Sequence, residues 1–74
     1  MKLVISHPEL APELVFALNQ SDCLAARIGR NTLEVFVPWL RDAGEEQAAM
    51  ELLFFVRAWA SNRPEFRAAL HYPG

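Results

Sequence analysis

The segment from Glu45 to Ala60 constrains the fold most, because it lies in the longest stretch of the chain without Gly, Pro or Asn. Most of its residues have a high helix propensity. On a helical wheel its large apolar side chains fall within an arc of about 160°, with charged and amide side chains on the other side. An arc of this width predicts a helix that packs between a sheet and a second helix.

The ends of this helix carry capping and stop signals. Asp42 and Glu45 have the spacing of a capping box, and acidic residues in the first turn complement the helix dipole. Pro64 disfavours helical backbone at the residue before it, so the helix is predicted to stop near Ser61.

Two apolar residues interrupt the polar side of this helix. Met50 and Phe54 are one turn apart there, and a neighbouring pair of this kind can form a patch. They either cover an adjacent loop or helix edge, or contact a second subunit.

The length of 74 residues fits one compact domain, residues 1–74. An apolar fraction of 53% is high for so small an interior and favours oligomerisation. The net charge of −2 gives no electrostatic footprint for nucleic acid. No apolar run reaches the roughly 18 residues of a membrane span, and no signal peptide is visible. We therefore expect a cytoplasmic protein that binds neither nucleic acid nor membrane.

Short alternating segments predict the strands. Lys2 to Ser6, Cys23 to Ile28 and Leu33 to Val37 read as three strands, and Gly29 to Thr32 as a hairpin connection between the last two. In the second strand Leu24, Ala26 and Ile28 are expected to face the core. The opposite face of the sheet would then carry Val4, Cys23, Ala25, Arg27, Glu34, Phe36, Arg67, Ala69 and His71.

A first helix is predicted between the first two strands. Ser6 and Glu9 have capping-box spacing, but Pro12 cannot continue a helix that begins there. We therefore expect a turn at residues 8 to 11 and a helix from Pro12 to about Gln20. Phe16 points away from the apolar face of that helix.

The segment from Pro64 to Tyr72 decides the architecture. Alternation of Phe66, Ala68 and Leu70 favours a strand, although a capped helix also fits the segment. With a strand the order is β-α-β-β-α-β, an α+β ferredoxin-like arrangement of four antiparallel strands with both helices on one face. In this architecture the chain resembles small bacterial ferredoxin-like domains. With a helix the order is β-α-β-β-α-α, with three strands.

The titratable residues form no recognisable site. His7 and His71 are expected at opposite ends of a strand pair, roughly 15 to 20 Å apart, so they cannot share a metal. Cys23 is the only cysteine and has no base near it in sequence. We predict no catalytic, metal-binding or cofactor-binding residue. Phe36 alone offers a stacking platform for RNA bases, which is too little for that class of sheet.

The remaining signal is apolar surface. The predicted interaction surface comprises Val4, Phe16, Phe36, Trp39, Met50 and Phe54. Trp39 either plugs the end of the core together with Leu40 or anchors a partner. We expect a non-enzymatic interaction domain that forms a homodimer and can also bind a larger, unidentified protein. The alternatives are a small-ligand regulatory module, with its site between subunits or at the Trp39 loop, and a thiol-dependent enzyme.

Overall fold

The computed structural model of the protein describes residues 1–40 and 42–71, apart from the side chain of Leu40. The strands are β1 (Lys2–Ile5), β2 (Leu24–Arg27), β3 (Thr32–Phe36) and β4 (Ala68–His71). The helices are α1 (Ala11–Gln20) and α2 (Glu45–Trp59), and short 3₁₀ turns at Pro8–Leu10 and Pro38–Leu40 precede them. Residues Ala68–His71 of the segment from Pro64 to Tyr72 are therefore a strand, so the three-stranded alternative is wrong, and Tyr72 lies outside the described residues.

The four strands form one antiparallel sheet in the order β2-β3-β1-β4. Leu3 of the central strand β1 lies opposite Leu33 of β3 and opposite Leu70 of β4. The α+β class and the four-stranded antiparallel sheet with two helices are confirmed. The two β-α-β crossovers place β1 and β3 in the centre and leave β2 and β4 at the edges.

One face of the sheet forms the core together with both helices. Leu3, Ile5, Leu33 and Val35 are each at most 1% exposed on this face. They belong to one cluster with buried side chains of both helices: Ala11, Leu14, Leu18, Leu52 and Val56. Both helices therefore cover the same face of the sheet, and the other face, called the open face below, is covered by neither.

The N-terminal ends of the helices are not capped by the predicted side chains. Gly44, with a φ of 91°, is the N-cap of α2, and no side chain caps this end. Asp42 and Glu45 therefore do not form a capping box, because a glycine backbone makes the sharp entry that a β-carbon would strain. Ser6 does not cap the first turn either, since its Oγ accepts a hydrogen bond from the Arg67 amide at 2.8 Å.

The predicted orientation of β2 is wrong. Ala25 lies opposite the buried Val35 on the helix side of the sheet, whereas Leu24 lies opposite Phe36 on the open face. Asn19 of α1 fixes this orientation, because its side-chain amide bonds both backbone groups of Ala25, at 3.0 and 3.2 Å. These two hydrogen bonds use backbone groups at the outer edge of β2, and they hold α1 close to the small side chain of Ala25.

Neither described helix has the length and hydropathy needed to cross a bilayer.

Candidate functional site

The open face consists of three rows of side chains that run across the strands, because residues directly opposite one another in an antiparallel pair share a face. The first row is the Leu24–Phe36 pair. The middle row is polar and contains Ala26, Glu34, Lys2 and His71. The third row contains Thr32, Val4 and Ala69. Ile28 extends the third row, since its amide donates to the Thr32 carbonyl at 2.9 Å.

The first and third rows expose large apolar side chains. Leu24 is 60% exposed, Ile28 is 53% exposed and Phe36 is 48% exposed. Val4 is half-buried between its neighbours on β3 and β4. Apolar rows on either side of a polar row make a surface that a flat partner could cover.

Charge on the open face is concentrated in the middle row. Lys2 and Glu34 lie directly opposite each other on β1 and β3. The Met1 ammonium group donates to Glu34 Oε2 at 2.8 Å. This hydrogen bond is the main cause that lowers the pKa of Glu34, with the charges of Met1 and Lys2 adding to it. Glu34 is therefore ionised at neutral pH, beside a basic neighbour.

The six predicted surface residues fall into three groups. Val4 and Phe36 lie on the open face, although not in the same row. Trp39 and Phe54 line one apolar groove, and Met50 and Phe54 line a shallow depression beside it. Phe16 is 65% exposed on the outer side of α1 and lines neither.

The apolar groove has a volume of about 430 Å³ and lies between α2 and the ends of the β2 and β3 segments. Trp39, which is 59% exposed, forms part of its wall and is not a buried plug. Ser21 and Glu51 are the polar residues that line the groove. The other lining residues are apolar: Cys23, Val37, Leu52, Phe54, Phe55 and Ala58. A lining of this kind suits a small apolar ligand.

Cys23 lies in the lining of this groove and is 7% exposed. Burial, and to a smaller extent the nearby Asp22 carboxylate, raise the pKa of the Cys23 thiol above its ordinary value of 9.0. A nucleophilic cysteine needs a lowered pKa, so this environment does not activate the thiol.

We expect alkylation of Cys23 by iodoacetamide at pH 7 to be at least about tenfold slower in the native protein than in the unfolded chain, because the thiol is both buried and protonated. Asp22→Asn should accelerate native labelling modestly, since asparagine tolerates the positive φ of 65° at this position and removes the charge. Burial of the neutral thiol contributes stability below pH 9.0 that is lost as the pH rises through the raised pKa. Equal labelling rates in the native and unfolded chains would contradict this description.

The histidines lie apart, as the strand register requires. His71 is opposite Lys2 at one end of the β1–β4 pair, whereas His7 follows the other end. The His7 ring stacks on Phe66 with centroids 6.1 Å apart, and its Nδ1 is 2.6 Å from Ser6 Oγ. Within residues 1–40 and 42–71, no group of three His, Cys, Asp or Glu side chains could hold a metal ion.

Sequence reasoning missed two features of the surface. Leu24 and Ile28 were expected in the core, and alternation alone could not determine which face of β2 is buried. Arg57, Arg63 and Arg67 line a common hollow, although Arg67 was expected on the open face. Their clustering in eleven residues of sequence was the available signal.

Comparisons of the chain with models of known protein families, with curated proteins and with solved structures find no match.

Proposed function

We propose that this protein is a non-enzymatic interaction domain that forms a homodimer through the open face of its sheet. The observation that carries the proposal is the exposed apolar pair Leu24 and Phe36, together with Ile28 in the third row, on a face that neither described helix covers. Burying such side chains against a second copy removes apolar surface from water, at roughly 25 cal/mol per Å².

We also propose that the fold is ferredoxin-like. The element order and the central position of β1 and β3, each between antiparallel neighbours, support this assignment. Such folds host unrelated functions, so the proposed function rests on the surface and not on the fold.

The charges of the middle row favour a particular two-fold arrangement. An axis between β1 and β3, tilted by about 15° from the strand direction, lays β3 over β1 of the partner at the crossing angle of about 30° that is usual between packed sheets. Glu34 then faces the partner's Lys2, and Thr32 faces the partner's Val4. Because the axis repeats each contact, the Glu34–Lys2 contact forms twice, and Phe36 lies beside its own two-fold copy near the axis.

The size of the face indicates a moderate affinity. Four strands at ~4.8 Å spacing, with four or five residues each at ~3.3 Å, give a face of roughly 300 Å² in projection. Stable interfaces bury about 800 Å² of accessible surface per partner. Even with projecting side chains the open face is smaller than this typical area, so we propose a dissociation constant in the micromolar range.

Dilution of a ¹⁵N-labelled sample from about 1 mM to about 10 μM, followed by amide NMR, tests this proposal across the expected affinity range. The amides of Val4, Ala26 and Ala69 should shift with concentration, whereas those of Phe16 and Phe54 on the outer helix surfaces should not. Shifts confined to Phe54 and its neighbours would move the interface to α2. If no amide signal shifts with concentration, a dimer of micromolar affinity is excluded.

The apolar groove favours a second candidate function, a regulatory module that binds a small apolar ligand. Its volume of about 430 Å³ lies within the range of roughly 300–1,000 Å³ typical of ligand pockets. A ligand bound there should raise the melting temperature and protect Cys23 from alkylation. A panel of small apolar metabolites that does neither would count against this candidate.

A further inference from the structure

Three arginines line one hollow of about 350 Å³ between the C-terminal part of α2 and the segment that leads into β4. They are Arg57, Arg63 and Arg67, three of the seven basic residues in a chain of net charge −2. None of the described lining residues is Asp or Glu. Ser61 is the other polar residue that lines the hollow. The remaining lining residues are apolar: Leu53, Val56, Ala60, Pro64, Phe66 and Ala68.

The three guanidinium groups differ in how many of their donors are used within the chain. Arg63 donates to the Trp59 carbonyl at 3.1 Å and to Glu13 at 3.2 Å, and it lies over the Trp59 ring. Arg67 uses only its Nη1, on the carbonyls of Pro64 and Phe66. Arg57 has no hydrogen-bond or ion-pair partner among the described residues.

A structural role accounts for Arg63, accounts for Arg67 only through its Nη1, and does not account for Arg57. Arg63 satisfies a carbonyl at the end of α2 and neutralises the negative end of the helix dipole there. Arg57 and Arg67 line the same hollow and keep unused donors, and no acidic side chain is among the described lining residues. Guanidinium groups are suited to carboxylates and phosphates, because their parallel N–H donors match two oxygens at once.

We propose that this hollow binds a small organic oxyanion, with a carboxylate or phosphate group held by Arg57 and Arg67 and an apolar body resting on Val56, Phe66 and Ala68. Arg63 also lines the hollow, and its bonds to α2 and Glu13 hold it in place. The hollow is separate from the open face, so this inference does not depend on the proposed dimer. Glu65 lines a neighbouring hollow with His7 and would not face the bound anion.

Titration of the ¹⁵N-labelled protein with phenyl phosphate, benzoate and neutral benzyl alcohol tests the proposal. We expect saturable shifts of the Ser61, Arg67 and Ala68 amides with at least one anion and none with benzyl alcohol. Tighter binding of phenyl phosphate than of benzoate would assign the site to phosphates, and the reverse order to carboxylates. Inorganic phosphate, added alone, measures the contribution of the apolar body.

Matched variants distinguish a site from general attraction between charges. Arg57→Gln removes one exposed guanidinium from the surface of α2 and should weaken anion binding at least about tenfold, with Arg57→Lys in between. Arg30→Gln removes the same charge from the β2–β3 connection, outside the hollow, and should change nothing. The absence of saturation with either anion, or equal weakening by Arg30→Gln and Arg57→Gln, would overturn the proposal.

Discussion

Phe36→Glu is expected to convert the proposed dimer into a monomer while the chain remains folded. Phe36 is 48% exposed in the isolated chain and contributes nothing to the buried cluster, so the substitution leaves the core intact. In the dimer the new carboxylate would be buried against an apolar surface, on the same face as Glu34 and its own two-fold copy. An unpaired charge buried at an interface costs several kcal/mol.

The dissociation constant should rise at least about 100-fold, which corresponds to about 2.8 kcal/mol. If the unmodified chain dimerises with a dissociation constant of about 1 μM, the variant's constant is about 100 μM, so at about 10 μM the variant should be mostly monomer and the unmodified chain mostly dimer, as sedimentation equilibrium would measure. Circular dichroism should show an unchanged spectrum, so that lost association is not mistaken for lost folding.

Two control variants place the same charge elsewhere on the surface. Phe16→Glu on α1 and Phe54→Glu on α2 alter side chains that are 65% and 64% exposed. Both should leave the dimer intact, because neither residue lies on the open face. Dissociation by Phe54→Glu with Phe36→Glu still dimeric would show that the subunits associate through α2 and its groove.

Leu33→Ala should have the largest effect on folding. Leu33 is fully buried on a central strand and lies opposite Leu3. Replacing a buried leucine by alanine costs about 2–5 kcal/mol, from lost burial and the cavity left behind. Domains typically have a free energy of unfolding of only about 5–15 kcal/mol, with short chains at the low end.

Urea denaturation, followed by circular dichroism, measures this loss as a lower midpoint with a similar slope. Met50→Ala is the matched control, because it also removes a large apolar side chain but at a position that is 52% exposed. It should change the free energy of unfolding by less than about 0.5 kcal/mol. If Leu33→Ala were equally mild, the core described above would be wrong.

The strongly periodic elements could be predicted from the sequence. The long helix was expected over residues 45–60 and spans Glu45–Trp59. The third strand was expected from Leu33 to Val37 and spans Thr32–Phe36. In both segments most of the large apolar side chains recur on one face, so hydrophobic burial favours a single orientation.

The orientation of β2 could not be predicted in the same way. Alternation places Leu24 and Ile28 on one face of this strand and Cys23 and Ala25 on the other. Hydrophobicity alone favours burial of Leu24 and Ile28, the larger pair. The structure turns the smaller pair toward the core, with Cys23 buried and Ala25 half-buried, because Asn19 binds the backbone of Ala25 from α1. This tertiary hydrogen bond between residues six positions apart has no periodic signature, and it transfers two large apolar residues to the candidate interface.

The arginine hollow escaped prediction for a related reason. Arg57 was read as part of a solvated helix side, and Arg67 as part of the open face. They come together only because the turn at residues 60–66 folds back beside α2, with the Arg63 amide bonded to the Ala60 carbonyl at 2.8 Å and the Phe66 amide to the Arg63 carbonyl at 3.0 Å.

The most direct test of the central proposal is the solution mass of the unmodified chain, measured by light scattering on a sizing column at two concentrations. The proposed dimer predicts a mass near twice 8.4 kDa at the higher concentration and a fall toward 8.4 kDa on dilution. A mass of 8.4 kDa at both concentrations, with the higher near 1 mM, would contradict self-association through the open face.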